Sequence, residues 1–298
     1  MKLHAVKFKA MGSPCEFQLY MEDTQAHAIG EHIRALIARL EAKYSRYQPH
    51  SITSQINAAA GRSDALELDA ETVLLINYAN IMHQQSDGLF DITSGILRKA
   101  WNFNSQALPS PQQLNELTSL IGWEKVEWHA PFFRLPKIGM EIDFGGYVKE
   151  YAADLVADFC ISENIQHGLI NLGGDIHVIG AHLDNSPWQV GIQHPRILGK
   201  PIATIEIPQG AIATSGDYER FMLINNVRYS HLLNPFTGRS IQPTYASASV
   251  IAARCILAGS FSTIALLKSP TQPDWLAHAN LPYLLVDQDM KLSGSLAQ

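Results

Sequence analysis

The sequence lacks several patterns that identify common classes of protein. It has no block of lysine and arginine, and its formal net charge is -6, so we expect no nucleic-acid partner. No apolar run is long enough to span a bilayer, and we therefore expect no membrane insertion. Lysine and histidine interrupt the first fifteen residues, MKLHAVKFKAMGSPC. This pattern is not that of a secretion signal, so we expect a cytoplasmic protein.

Cysteine is scarce, and familiar catalytic motifs are missing. The three cysteines lie far apart, at Cys15, Cys160 and Cys255. They lack the spacing of zinc ligands and cannot all pair, so we predict buried thiols in a reducing compartment. The sequence also lacks the GxSxG and HExxH motifs and the glycine spacings of dinucleotide and P-loop sites. The commoner hydrolase, zinc-enzyme and nucleotide-site classes are therefore not indicated.

Hydrophobic periodicity predicts an α+β fold. Alternation from Val6 to Met21 indicates a strand or hairpin, and helical spacing of apolar residues follows from Ile29 to Tyr44. Asp69 is a plausible N-cap of a second helix, and Ser110-Pro111 indicates the start of a third. Helices and strands mix without a regular βαβ order, which favours mixed sheets with flanking helices.

Shorter patterns complete this prediction. Alternation at Met140, Ile142 and Phe144 predicts a strand that leads through two glycines into a helix. Asn225-Asn226 favours a hairpin turn. Further elements are predicted as strands at 170–172, 188–192 and 203–207, a last helix at 253–268 and a strand pair within 283–292.

Five polar, glycine-containing segments are candidates for a binding site. They are residues 86–95, 143–151, 171–175, 213–220 and 230–238. Glycine allows a ligand to approach the backbone closely, and the helix start after Gly145-Gly146 offers free N–H groups to a phosphate, with Lys149 adding a cation. His231 lies at a predicted strand end beside a proline turn, where an imidazole can face a cleft. Structural turns and a partly buried histidine are the alternative interpretation.

Taken in order, these segments resemble the ApbE-type flavin transferases, which are FAD:protein FMN transferases. The resemblance covers nearly the whole chain, and it implies an α+β fold in a single domain over residues 1–298. An arrangement in two lobes with the FAD site between them remains open. The matching motifs are Met11-Gly12-Ser13, Ser45-Arg46-Tyr47, Asp87 to Thr93, Asp143 to Tyr151, Asn171 to Asp175, Thr214 to Asp217, Ser230 to Gly238 and the helix Ala258 to Leu266.

The resemblance also implies a set of site residues. His231 matches a histidine that the family needs for transfer. The aromatic and thioether side chains among the matched flavin contacts are suited to packing on flat rings, although burial in the core is a competing explanation. The positions that match the family's flavin contacts are Met11, Tyr47, Leu89, Phe90, Asp91, Asp143, Lys149 and Leu233.

The implied magnesium site departs from the family pattern. Gly146 matches a backbone ligand, Ser262 takes a second ligand position and Thr263 is retained. Gly259 stands where the family has a metal-ligand aspartate, and Glu150 replaces a glycine that commonly follows the lysine. Mg²⁺ prefers hard oxygen ligands, usually with a carboxylate. A replacement oxygen would have to come from Asp217, Asp175 or Asp91, or from phosphates and waters beside Thr263.

The implied activity is cleavage of the FAD pyrophosphate, release of AMP and attachment of FMN through its phosphate to a threonine or serine hydroxyl of an acceptor protein. Magnesium would neutralise charge on the phosphates, and His231 would accept the hydroxyl proton. Two alternatives remain: a protein that binds FAD without efficient transfer, because Gly259 replaces the metal-ligand aspartate, and an FAD pyrophosphatase that uses water as the acceptor.

Overall fold

Fifteen strands and six α-helices are found in the computed structural model, which describes residues 1–297. The strands are β1 Lys2–Ala10, β2 Ser13–Met21, β3 Leu66–Glu67, β4 Glu127–His129, β5 Phe132–Arg134, β6 Gly168–Leu172, β7 Asp175–Gly180, β8 Trp188–Gln193, β9 Pro201–Ile207, β10 Gly210–Gly216, β11 Phe221–Ile224, β12 Val227–Ser230, β13 Tyr245–Ala252, β14 Tyr283–Asp287 and β15 Leu292–Ser293. The helices are α1 Asp23–Tyr44, α2 Ile52–Ala58, α3 Ala70–Gln85, α4 Pro111–Thr118, α5 Val148–Ser162 and α6 Cys255–Lys268. Three 3₁₀ helices cover Ile92–Lys99, Trp123–Lys125 and Trp275–His278.

A central sheet of eight strands has the order β1-β2-β6-β7-β10-β13-β14-β15, and every neighbouring pair is antiparallel. Alternate residues of each strand face opposite sides of the sheet. Ile170 and Ala213 pack with the helices, whereas their neighbours Leu169 and Ile212 pack with the β8–β9 pair. The sheet therefore lies between a helical layer, which includes α5 and α6, and a two-stranded layer. The predicted α+β class is confirmed.

Local sequence signals explain where several elements begin and turn. The Asp69 carboxylate accepts hydrogen bonds from the N–H groups of Glu71 and Thr72, both at 3.1 Å, and caps α3. Ser110 forms a capping box with Gln113 at the start of α4. Asn225 and Asn226 have φ angles of 50° and 62° and join β11 to β12, the left-handed conformation that a tight hairpin turn requires. These predictions are confirmed.

The predicted strand at Met140, Ile142 and Phe144 is wrong. All three side chains are buried, as the alternation implied, but the segment pairs with no strand among the described residues. The Ile142 N–H donates to the Asn57 side chain at 2.7 Å, and the Asn57 amide donates back to the Ile142 carbonyl at 3.0 Å. The Asp143 N–H donates to the Ile92 carbonyl at 2.9 Å. The Asn57 side chain and the Ile92 carbonyl therefore take the place of a neighbouring strand as hydrogen-bond partners of this segment.

The cysteines and the longer helices bear on two further predictions. Cys15, Cys160 and Cys255 are all buried and free, as predicted. Burial raises the pKa of Cys160 to about 12, so its thiol stays protonated. Between residues 1 and 297, no helix has both the length and the apolar character needed to cross a bilayer.

Candidate functional site

The loop before α5 brings two of the predicted site residues together. The Asp143 carboxylate pairs with the Arg46 guanidinium and accepts a hydrogen bond from the Gly145 N–H at 2.9 Å. Arg46 donates to the Tyr47 hydroxyl at 2.8 Å and lies 4.8 Å from the centre of its ring. Tyr47 is 75% exposed, so its ring is available to a ligand. Arg46 therefore holds Asp143 and Tyr47 side by side.

Phe90 and Gly146 form the next part of this region. A Cβ atom placed on Gly146 would lie 3.6 Å from the Phe90 ring. Phe90 is buried, and its ring centre lies 6.0 Å from that of Tyr147. Phe90 thus supports the backbone at the start of α5, and this packing agrees with the competing explanation that it is a core residue.

Asp91 is buried and already has hydrogen-bond partners at both oxygens. Its Oδ1 accepts from the N–H and the hydroxyl of Thr93, at 2.8 Å and 2.7 Å, and its Oδ2 accepts from the Trp123 N–H at 3.1 Å. Burial raises the pKa of this carboxyl. These contacts hold the start of the 3₁₀ helix Ile92–Lys99, so both oxygens of Asp91 already serve a structural role.

Lys149 and Met11 lie around the turn between β6 and β7. The Lys149 ammonium pairs with Asp175 and donates to the Leu172 carbonyl at 3.1 Å. Burial alone would lower the pKa of Lys149, but the Asp175 carboxylate has the opposite effect. The pKa of Lys149 is therefore above its usual value. Met11 has a φ angle of 49°, and its N–H donates to the Glu41 carboxylate at 3.0 Å. Lys149 is therefore charged, but Asp175 is not a spare metal ligand.

The predicted metal ligands of α6 form a cluster of hydroxyl groups with β10. The Ser215 hydroxyl lies 2.8 Å from both the Ser262 and the Thr263 hydroxyl oxygens. Ser262 also donates to the Gly259 carbonyl at 2.9 Å. Asp217, the remaining candidate for a replacement oxygen, is held by Arg196 at 2.6 Å and 2.9 Å. None of the three aspartates named from the sequence is thus unpaired.

Glu150 is a carboxylate beside this cluster that the sequence did not identify as a site residue. It is buried on α5 against Gly259. Burial and the nearby Asp175 raise the pKa of Glu150 to about 8. Across residues 1–297, no three His, Cys, Asp or Glu side chains are grouped as metal ligands. A divalent cation here would therefore be held by one carboxylate, hydroxyl oxygens, phosphates and waters, which is a donor set that suits Mg²⁺.

His231 lies just after β12, with its N–H donating to the Arg220 carbonyl at 2.9 Å. Its side chain reaches the surface but is crowded by protein atoms. This loss of hydration, together with the Arg220 charge, lowers the pKa of His231 below 6.5. The imidazole is consequently neutral near pH 7 and able to accept a proton.

Leu89 and Asn234, the residue after Leu233, line a cavity of about 350 Å³.

Arginines that were not among the predicted site residues connect these regions. The hydrogen bond from Arg46, followed by the charges of Arg220 and Arg98, lowers the pKa of Tyr47 against the opposing effect of burial. The charge of Arg220 contributes to the lowered pKa of both Tyr47 and His231. Only the adjacency of Arg46 to Tyr47 and the place of Arg220 in the segment 213–220 pointed to them in the sequence.

An α+β protein with basic side chains, a neutral histidine and a hydroxyl cluster around a glycine-rich helix start is suited to binding a phosphorylated ligand. The model of the ApbE family matches residues 11–285. The chain belongs to the ApbE family.

Relatives in bacteria support this assignment. An FAD:protein FMN transferase of Vibrio cholerae is 28% identical over 262 residues, which cover 85% of this chain and 78% of the relative. One of Klebsiella pneumoniae is 30% identical, covering 81% and 75%. The crystal structure of an ApbE protein of Thermotoga maritima has a TM-score of 0.89 at 28% identity and covers all of both chains. The flavin transferase ApbE of Vibrio cholerae matches in fold with a TM-score of 0.87 at 24% identity, covering 99% and 98%.

Proposed function

We propose that this chain is an FAD:protein FMN transferase that joins FMN, through its phosphate, to a threonine or serine hydroxyl of an acceptor flavoprotein. The names of the relatives support the reaction class. The observation that carries the proposal is His231, whose side chain is exposed and whose N–H donates to the Arg220 carbonyl at 2.9 Å, together with Arg46, which donates to the Tyr47 hydroxyl. This arrangement combines a proton acceptor with cations for an anionic ligand.

The reaction balances with these groups. The acceptor hydroxyl oxygen forms a bond to the phosphorus of the FMN half, the bond from that phosphorus to the bridging oxygen breaks, and AMP leaves with that oxygen. A neutral ring nitrogen of His231 takes the hydroxyl proton. Arg220 and Arg46 stabilise the phosphate charge, and Tyr47 and Met11 pack on flat rings of FAD. Leu89, Phe90, Asp143 and Leu233 complete the proposed FAD contacts, and Lys149 provides a further cation.

We also assign the oxygen donors for Mg²⁺ to this region. Ser262 and Thr263 offer hydroxyl groups, and the Gly146 backbone lies at the start of α5. When bound, Mg²⁺ neutralises charge that builds up on the phosphate oxygens. We place the acceptor in the cytoplasm, and the three free thiols support a reducing compartment.

The decisive experiment incubates the purified protein with FAD, Mg²⁺ and a candidate acceptor domain. AMP release together with covalent flavin on the acceptor is the expected result. AMP and free FMN without acceptor labelling would identify an FAD pyrophosphatase instead. FAD binding without AMP release would identify a flavin-binding protein and contradict both enzymatic functions. An acceptor with its target hydroxyl removed is the matched control and should remain unlabelled.

A further inference from the structure

The Asp154 carboxylate of α5 forms hydrogen bonds to the start of α6 through both of its oxygens. Asp154 of α5 accepts hydrogen bonds from the Cys255 N–H at 2.7 Å and the Ile256 N–H at 3.0 Å, so it caps α6. It also lies 2.6 Å from the His177 imidazole. Glu150 precedes Asp154 by one helical turn, and Gly259 follows Cys255 by one turn. The two helices therefore run antiparallel here, and Glu150 meets Gly259 as Asp154 meets Cys255.

Glu150 has a carboxylate that the protein leaves incompletely paired. Glu150 is 8% exposed, and its Oε2 atom has no hydrogen-bond partner within residues 1–297. A Cβ atom on Gly259 would lie 2.7 Å from the Glu150 Cγ and 2.8 Å from its Oε1. The missing side chain at Gly259 thus provides the space that the Glu150 carboxylate occupies. Such an unpaired, buried oxygen is costly unless a cation or a proton compensates it.

The surroundings of this oxygen favour a cation with hard oxygen ligands. Ser262 and Thr263 follow Gly259 by three and four positions, so they share its helix face, and helical side chains lean towards the N-terminus. Their hydroxyls are joined by Ser215. The nearest lysine, Lys149, already pairs with Asp175. Carboxylate and hydroxyl oxygens are ligands of Mg²⁺ and Mn²⁺. The Lys149 charge also acts on Glu150, but within residues 1–297 it does not provide a hydrogen-bond partner for Oε2.

We propose that Glu150 is the carboxylate ligand of a divalent cation bound between α5 and α6, beside the hydroxyl cluster of Ser215, Ser262 and Thr263. Gly259 permits this arrangement because it has no side chain. The ligand that a carboxylate at position 259 of α6 would provide therefore comes, in this chain, from α5. The inference rests on the proposed function for its biological purpose, but cation binding can be measured without flavin transfer.

The first experiment titrates Mn²⁺ into the full chain and follows unbound Mn²⁺ by EPR, with the Mg²⁺-dependent rise in Tm as a second measurement. Loss of a residue that only supports a ligand costs roughly 10- to 100-fold in metal affinity, so we expect Glu150→Gln to cost at least roughly tenfold. It should also abolish the Mg²⁺-dependent rise in Tm. Asp158→Asn is the matched control, since it removes a negative charge from the same helix two turns away, where Asp158 pairs with Arg254.

A reciprocal exchange distinguishes a ligand from a structural carboxylate. Gly259→Asp alone should clash with Glu150, whereas Glu150→Gly combined with Gly259→Asp moves the carboxylate to α6 and should recover Mn²⁺ binding. Unchanged affinity in Glu150→Gln, an equal loss in Asp158→Asn, or a double variant that binds no better than Glu150→Gln would each overturn the proposal.

The two proposals fail in different ways. If the wild-type protein transfers FMN while Glu150→Gln binds Mn²⁺ normally, the cation assignment is wrong and the function stands. If Mn²⁺ binding depends on Glu150 but FAD releases no AMP, the function is wrong and the assignment stands.

Discussion

At the scale of single residues, two features lower the proton affinity of His231. Loss of hydration is the larger and the Arg220 charge the smaller, and both lower the pKa of His231 below its usual 6.5. If neutral His231 is the base, the transfer rate falls as pH drops through this pKa. Arg220→Gln removes one of the two causes, so the pKa should rise towards 6.5 and the acid limb of the kcat profile should move to higher pH. The measurement is the pH dependence of AMP release at saturating FAD and acceptor.

Two further variants make this prediction specific. His231→Ala should reduce kcat by roughly 10²- to 10⁴-fold, the usual contribution of a general base, and remove the acid limb. Arg134→Gln is the control, because Arg134 pairs with Glu127 on a separate small sheet and should leave the profile unchanged. An Arg220→Gln enzyme with an unshifted acid limb would show that His231 is not the titrating base.

The sequence indicated candidate carboxylates for the site but could not show which of them form ion pairs within the protein. Asp175 is held by Lys149, and Asp217 is held by Arg196. Both partners lie more than twenty positions away in the chain, so no local pattern reveals these pairs. The contact of Glu150 with Gly259 also depends on how α5 and α6 pack. Residue types and order indicate candidate residues, whereas the ion pairs among them required the three-dimensional structure.

At the scale of elements, an ion-pair network ties α1 to the start of α3. Glu71 accepts two hydrogen bonds from Arg39, at 2.7 Å and 2.8 Å, and one from Lys43 at 2.8 Å. The bond from Arg39, and then that from Lys43, lower the pKa of Glu71 to about 2, against the opposing effect of burial. The ionised side chain therefore stabilises the folded state above pH 4.5, and this stabilisation is lost as pH falls towards 2.

Glu71→Gln should accordingly lower the free energy of unfolding at pH 7 by about 1 kcal/mol, a value reduced for partial solvent screening. The difference from wild type should shrink between pH 4.5 and 2, as measured by urea unfolding at a series of pH values. Glu31→Gln is the control, since Glu31 pairs with Arg34 on the exposed side of α1. A deficit in Glu71→Gln that stayed constant down to pH 2 would contradict the role of the Glu71 charge.

Elements were predicted best where their signals are local. The caps Asp69 and Ser110 and the Asn225-Asn226 turn each act within a few residues. The segment 140–144 shows the opposite case. The alternation correctly marked three buried side chains there, but the predicted strand is wrong, and the partner of the Ile142 backbone, Asn57, lies 85 positions away. Periodicity indicates which side chains are buried, whereas pairing is a property of the whole fold.

At the scale of the whole molecule, the central sheet is shared by hydrophobic clusters on its two faces. This continuity favours a single domain over two independent lobes, and it predicts one cooperative unfolding transition. Tryptophans report from separate regions: Trp188 on the β8–β9 face, Trp101 near α4, and Trp275 near the end of α6. Urea unfolding followed by tryptophan fluorescence and by far-UV circular dichroism should give coincident midpoints. Two separated transitions would favour the two-lobed arrangement, and Trp188→Phe would show which face each one reports.

The charge distribution of the whole molecule gives a second prediction. The net charge of -6 opposes an anionic ligand at long range, whereas Arg46 contacts Tyr47 and the charges of Arg220 and Arg98 also act on it. The short-range attraction of the arginines should dominate binding, and it weakens as added salt shortens the screening length, which is about 10 Å at 0.1 M. FAD should therefore bind more weakly as salt rises, with a several-fold increase in Kd between low and high ionic strength. Riboflavin is the matched control, since it has the same ring system without phosphate, and its Kd should change little. If the affinity for FAD instead rose with salt, repulsion by the net charge would outweigh the arginines, and the assignment of this region to the pyrophosphate would be wrong.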